Sequence, residues 1–149
     1  MIVTIVVNGR PFEVKVRADE YLLETLRGLR FLSVKKGCDT TSCGVCTVLV
    51  DGNPVASCSY LSCRADGHDI TTVEGIQEEA GVLADYLGKE GSDQCGYCNP
   101  GFTLTVFSMK KNLLEPNQED IKNYLVGNLC RCSGYLGQEK AIMNYLEVK

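Results

Sequence analysis

The chain opens on two short runs of β-branched and apolar residues, Ile2 to Val7 and Phe12 to Val16, joined by Asn8-Gly9. Asn-Gly supplies the two positive-φ positions of a tight turn, so the runs predict an antiparallel hairpin. Phe12, Val14 and Val16 alternate with Glu13, Lys15 and Arg17, which assigns one face of that hairpin to a core. Asp19 then stands where it can cap a helix carrying Leu22, Leu23, Leu26 and Leu29 at helical spacing. A second hairpin is predicted from Thr47 to Val50 and Pro54 to Cys58 around Asp51-Gly52, and Ile70 to Val73 reads as a last strand.

From about residue 76 the period of two gives way to a helical one. Helices are predicted over Gly81 to Gly91, over Pro100 to Leu114, from a cap at Asn117 through Leu129, and over Gly137 to Val148. The pattern gives an α+β chain with a β-rich domain at 1–75 and a four-helix domain at 76–149. Within 149 residues each domain has only a small core, so something beyond apolar packing has to hold it.

Charge narrows the function classes. Residues 1–75 carry eight Lys/Arg against nine Asp/Glu, and residues 76–149 carry seven against ten. Neither half has the basic stripe that nucleic-acid binding calls for. The apolar start, Met1 to Val7, lacks a basic region and a small-residue cleavage site and reads as a strand, not a signal peptide. No apolar run approaches the roughly 20 residues of a membrane-spanning helix. A soluble, cytoplasmic protein is expected. With no P-loop, no G-x-G-x-x-G and no His/Asp/Ser set, a self-contained active site is not.

Nine cysteines in a chain expected in a reducing compartment point to metal binding before disulfides. Cys38, Cys43, Cys46 and Cys58 have the C-x4-C-x2-C spacing of plant-type ferredoxins, completed by a fourth cysteine further on. Gly37, Ser42 and Gly44 in that loop let backbone N–H groups approach the sulfurs of a 2Fe-2S cluster. Cys95, Cys98, Cys130 and Cys132 form a C-x2-C and a C-x-C pair. On spacing alone, a zinc ion held by four thiolates and a second cluster are both open readings. Placement at helix termini, where free N–H groups stabilise an anion, favours the cluster.

The remaining candidates have bland readings beside sharp ones. Cys63 is left over, as a small buried filler or as a substitute for Cys58 in the fourth ligand position. His68, the only histidine, reads as a solvated loop residue, and a Rieske centre needs two. Arg131 either meets a cofactor phosphate or carboxylate or offsets cluster charge. Tyr97, Phe102 and Tyr135 read as groups that exclude water beside the cysteines.

Four stretches, in order, carry a family resemblance: Gly37-Cys38 through Cys46-Thr47-Val48; Thr72-Val73-Glu74-Gly75; Gln94-Cys95-Gly96-Tyr97-Cys98-Asn99-Pro100-Gly101; and Gly127-Asn128-Leu129-Cys130-Arg131-Cys132-Ser133-Gly134-Tyr135. Together they resemble the small iron-sulfur subunit of the molybdenum hydroxylases, the xanthine dehydrogenase and aldehyde oxidoreductase family, over essentially the whole chain. The resemblance implies an N-terminal β-grasp ferredoxin-like domain, a C-terminal four-helix bundle and one 2Fe-2S cluster in each. It implies that Cys95, Cys98, Cys130 and Cys132 face the molybdenum side and that Cys38, Cys43, Cys46 and Cys58 face the flavin side. It also implies that Gln94 hydrogen-bonds the molybdopterin, expected as its cytosine dinucleotide.

The partners implied are a large molybdopterin-binding subunit and a medium FAD-binding subunit, in a dimer of heterotrimers or a related heteromer. The expected substrate of that assembly is an N-heterocycle such as xanthine or nicotinate. Two positions depart from the family pattern, Thr41 for Gly and Asn99 for Thr. Thr41 is expected to disturb a tight backbone turn without abolishing cluster binding. The rival functions are a stand-alone two-cluster ferredoxin and a zinc-stabilised interaction module.

Overall fold

The structure is a computed structural model and describes residues 1–148. The order of elements is β1 (Ile2–Val7), β2 (Arg10–Lys15), α1 (Leu22–Gly28), β3 (Thr47–Val50), β4 (Asn53–Ala56) and β5 (Asp69–Thr71), then α2 (Gln77–Lys89), α3 (Asn99–Asn112), α4 (Gln118–Leu125) and α5 (Leu136–Tyr145). Single 3-10 turns at Ser62–Ala65 and Val73–Gly75 flank β5. The chain is thus α+β, with all five strands and α1 in the first half and α2 to α5 in the second.

Both hairpins form where the turn residues place them. Asn8 and Gly9 have φ of +50° and +76°, and Asp51 and Gly52 have +48° and +80°. These paired left-handed positions match the twist of the strands they join. The sheet runs β2-β1-β5-β3-β4, antiparallel except for the β1–β5 pair. Val3, Ile5 and Val7 of β1 are buried with Val48, Ile70 and the α1 residues Leu22 and Leu26. Phe12 and Val14 of β2 pack on the margin of that core.

Several boundaries differ from expectation, each for a tertiary reason. The first helix begins at Leu22 with Tyr21 as its N-cap and no side-chain cap. Asp19 pairs with Arg17 at 3.1 Å instead. The start is set from across the fold: Tyr21 bridges to Leu61, and the Leu22 amide donates to the Tyr60 carbonyl at 2.7 Å. The last strand ends at Thr71, because Asn8 grips Thr72 with two hydrogen bonds of 2.8 and 2.9 Å and the chain turns there. Helix α2 starts at Gln77, before the Gly81 expected. Helix α4 starts after Asn117, whose side chain forms a full capping box with Asp120, and stops at Leu125, short of Leu129.

Helices α2 to α5 share one core of Leu83, Leu87, Phe102, Val106, Met109, Ile121, Ala141 and Ile142. The opposite side of α3 meets the sheet, where Leu104 packs with Leu49 of β3 and with Ile76. Ser108 donates from α3 to the Gly52 carbonyl at 3.0 Å. Among the described residues no helix is long and apolar enough to cross a membrane.

Candidate metal centres

The first cysteine group is assembled by a loop and a hairpin. Cys46 lies just before β3, and the register Thr47↔Ala56 places it opposite Ser57. The Ser57 amide and hydroxyl both donate to the Cys46 carbonyl, at 3.4 and 2.7 Å. Cys58 follows at once, so the eleven residues between Cys46 and Cys58 are a closed hairpin. Cys38 and Cys43 occupy the loop before it, which turns at Gly44 and is tied to β3 by the Thr47 amide and hydroxyl, 3.1 and 2.7 Å from the Gly44 carbonyl.

The second group sits at two helix starts. Cys98 is the N-cap of α3, with Pro100 in the first turn, where no amide donor is lost. Cys130 and Cys132 precede α5 in a loop turned by Gly134 and Tyr135 at φ of +68° and +72°. The Ser133 amide donates to Cys130 Sγ at 3.4 Å, and the Cys130 amide donates to the Tyr135 hydroxyl at 3.1 Å.

Within both groups the thiols come in twos. Cys95 and Cys132 lie 3.5 Å apart, and among neighbouring side chains Cys43 acts most strongly on Cys38, Cys58 on Cys46 and Cys130 on Cys98. Among the described residues no three Cys, His, Asp or Glu side chains converge as one metal ion requires. A single tetrahedral zinc wants four donors about one point. A 2Fe-2S cluster has two irons, and four thiolates serve it as two pairs. The donor sets fit the dinuclear group.

The pairs are also electrostatically uneven. Hydrogen bonds from the Cys43 thiol and from the amides of Cys43, Thr40 and Ser42 hold Cys38 down to about 6. Burial raises Cys43. Cys46 is pushed up to about 11 and Cys98 to about 12, burial being the main cause of each. For Cys130 burial acts upward but is outweighed by Ser133 and neighbouring amides, leaving it lowered. The Tyr97 amide, then Cys132, lowers Cys95, and Cys132 is raised in turn by Cys95. Cys38, the lowest of them, already favours the thiolate that iron binds.

The two loops touch. The Leu129 amide donates to the Cys43 carbonyl at 2.8 Å, and Asn128 Nδ2 reaches the Gly44 carbonyl at 3.4 Å. The Tyr97 hydroxyl donates to the Lys36 carbonyl at 2.8 Å, with Lys35 Nζ 4.9 Å from its ring centre. Gly44 and Gly101 permit this approach. A Cβ on Gly44 would stand 2.1 Å from the Gly127 carbonyl oxygen, and one on Gly101 2.5 Å from that of Gly44. A cavity of about 460 Å³ between the loops is bounded by Cys43 on one side and by Cys95, Cys98, Cys130 and Cys132 on the other.

The remaining candidates are placed as follows. Gln94 is exposed beside Cys95, and its side-chain amide donates to the Gly91 carbonyl at 2.9 Å. Arg131 is exposed and has no ion-pair partner among the described residues. Cys63 lies half-buried in the 3-10 turn before β5. His68 is not merely solvated: Nδ1 lies 2.6 Å from Asp51 Oδ2, across the second hairpin turn. Thr41 takes a φ of +57°. Asn99 Nδ2 bonds Asp93 at 2.8 Å. Sequence reasoning missed Leu129 as a link between the loops, since a backbone amide leaves no residue-type signal, and Asn128, whose side-chain bond depends on how the loops pack.

Comparison with known proteins covers both halves. The 2Fe-2S iron-sulfur cluster binding domain family matches residues 5–70, and the 2Fe-2S binding domain family matches residues 72–143. The xanthine dehydrogenase iron-sulfur-binding subunit of Escherichia coli O157:H7 is 41% identical over 137 residues, 87% of this chain and 84% of that one. The nicotinate dehydrogenase small FeS subunit of Eubacterium barkeri is 36% identical over 143 residues, 94% of this chain and 91% of that one. In three dimensions a chain of quinoline 2-oxidoreductase from Pseudomonas putida 86 superposes with a TM-score of 0.89 at 33% identity, over 98% of this chain and 92% of that one.

Proposed function

Because the chain belongs to the small 2Fe-2S iron-sulfur subunits of xanthine dehydrogenase, nicotinate dehydrogenase and related molybdenum hydroxylases, we propose that its eight paired cysteines hold two clusters that relay electrons from a molybdopterin site towards FAD. Cys38, Cys43, Cys46 and Cys58 are the ligands of one and Cys95, Cys98, Cys130 and Cys132 of the other. The observation that carries this reading is the convergence of Cys95, Cys98, Cys130 and Cys132 on one cavity, with Cys95 and Cys132 3.5 Å apart. When bound, such a cluster supplies one-electron redox chemistry at a potential tuned by hydrogen bonds and burial.

The chain's own residues do the positioning. Ser57 holds Cys46, Ser133 and Tyr135 hold the Cys130 loop, and Tyr97 and Leu129 fix the distance between the loops. Gln94, exposed at the rim of the second group, is the residue we assign to a hydrogen bond with the molybdopterin, in its cytosine dinucleotide form. We read residues 1–75 as the β-grasp ferredoxin-like domain and 76–149 as the four-helix bundle. The large molybdopterin-binding subunit then docks by the second group and the medium FAD-binding subunit by the first, in a dimer of heterotrimers or a related heteromer in the cytoplasm. The substrate side is assigned to an N-heterocycle such as xanthine or nicotinate, the substrates named for the relatives.

The test is co-purification of the untagged chain from its own cells under anaerobic conditions, with metal analysis and native mass spectrometry. A complex containing molybdenum, flavin and two 2Fe-2S clusters per copy of this chain is expected. A free 16.3 kDa monomer carrying both clusters would make it a diffusing ferredoxin, and a colourless zinc-loaded chain would remove both clusters.

A further inference from the structure

The ligand loop carries three hydroxyls in succession, and only one of them faces a cysteine sulfur. Thr40 Oγ1 and Ser42 Oγ bond each other at 2.8 Å. Thr41, between them, has its Oγ1 3.9 Å from Cys58 Sγ, at the outer reach of a hydrogen bond to sulfur. Thr41 also has a φ of +57° and is the only β-branched residue with positive φ among the described residues. A Cβ branch crowds the backbone in that region, where Gly would sit without strain. A strained residue persists where the surrounding structure over-determines it or where its side chain does something there.

We propose that Thr41 is a positioning residue whose hydroxyl donates to Cys58 Sγ and raises the reduction potential of the first cluster. The proposal rests on the reading of Cys58 as a ligand. In the free thiol, Cys58 donates and Thr41 accepts. A thiolate bound to iron has no proton, so the direction reverses and the Thr41 O–H becomes the donor. Reduction adds one electron, delivered by the substrate-oxidising subunit, and makes or breaks no bond at Cys58. The added negative charge falls in part on the ligand sulfurs. A donor there therefore favours the reduced state over the oxidised one. Thr41 is exposed, so water competes for the same sulfur, and the shift is confined to the cluster it touches.

The test compares Thr41→Gly, Thr41→Ser and Thr41→Val with the parent chain, each purified with its partner subunits and titrated under EPR. Cys58→Ser and Cys98→Ser assign the two signals. Thr41→Gly, which relieves the strain and removes the donor, is expected to lower the first potential and leave the second unchanged. Thr41→Ser keeps the donor and is expected to match the parent. Resonance Raman of the parent in deuterated buffer is expected to show an isotope shift in an iron–sulfur stretch that the Gly variant loses. Thr41→Val, if it loads, should follow Gly. A Gly variant with the parent's potential, or a Ser variant displaced as far as Gly, overturns the proposal. A parent that shows only the second signal overturns the ligand assignment beneath it.

Discussion

The amide of Leu129 donates to the carbonyl of Cys43 at 2.8 Å, joining a residue next to one candidate ligand, Cys130, to another candidate ligand outright. Together with the Asn128–Gly44 and Tyr97–Lys36 bonds it sets the register between the two loops, and it provides a short hydrogen-bonded route from one to the other.

Replacing Leu129 with Pro removes the donor, and replacing it with Ala keeps it. The Pro chain is expected to lose about 1 kcal/mol of stability beyond the Ala chain. Electron exchange between the clusters, followed by freeze-quench EPR, should slow in the Pro chain relative to Ala. Equal rates in the two would show that the bond is structural only.

Gly44→Ala introduces a Cβ 2.1 Å from the Gly127 carbonyl oxygen at a φ of +68°. Neither backbone can yield cheaply, and a cost of about 3 kcal/mol is expected. Gly81→Ala, in α2 with nothing within 4 Å, is the control and should stabilise by about 0.5–1 kcal/mol. Urea denaturation reads both. A Gly44→Ala chain as stable as the parent would mean the loops do not meet this closely.

Cys63→Ser is expected to keep the full iron content, whereas Cys46→Ser or Cys98→Ser should lose about half, one cluster in two. Iron analysis with visible absorbance decides it. Loss of iron in the Cys63 variant and its retention in Cys58→Ser would transfer the fourth ligand position to Cys63.

Glu74 gives a pH signature. Burial acts to raise its carboxyl, but the Ser33 hydroxyl at 2.5 Å, the Thr72 hydroxyl and the Ser33 amide at 3.2 Å outweigh it and hold the group below its ordinary value. A depressed folded value stabilises above the unfolded one, roughly 4.3, and the gain is lost as pH falls through the folded one. Glu74→Gln is therefore expected to cost about 1 kcal/mol at neutral pH, discounted for solvent screening, and to match the parent in strong acid. A parent–variant difference that stays constant from neutral pH into strong acid would rule out the linkage.

The parts of the fold that were legible in the sequence are those fixed by local chemistry. Asn8-Gly9 and Asp51-Gly52 announce their turns because only certain residues accept those angles, and Asn117 announces α4 because its side chain caps the amides that follow. The start of α1 was illegible, since Tyr60 and Leu61 set it from a distant segment. The site divides in the same way. The spacing of Cys38, Cys43 and Cys46 belongs to one loop and reads directly. That Cys95 meets Cys132, and Cys98 meets Cys130, depends on how α3, α4 and α5 pack, which no spacing encodes. The difficulty at Thr41 was visible as a departure from pattern, but the direction of its hydroxyl depends on how the loop folds back towards Cys58.

Helix α3 belongs to two cores at once, with Phe102, Val106 and Met109 on one side and Leu104 on the other. A chain built this way cannot be cut and rejoined at the point where strands give way to helices. Moving the strand half alone onto another carrier would bare Leu49, and moving the helical half alone would bare Leu104. Any gene fusion or domain transplant that preserves the protein has to carry both cysteine loops together, already at their working separation.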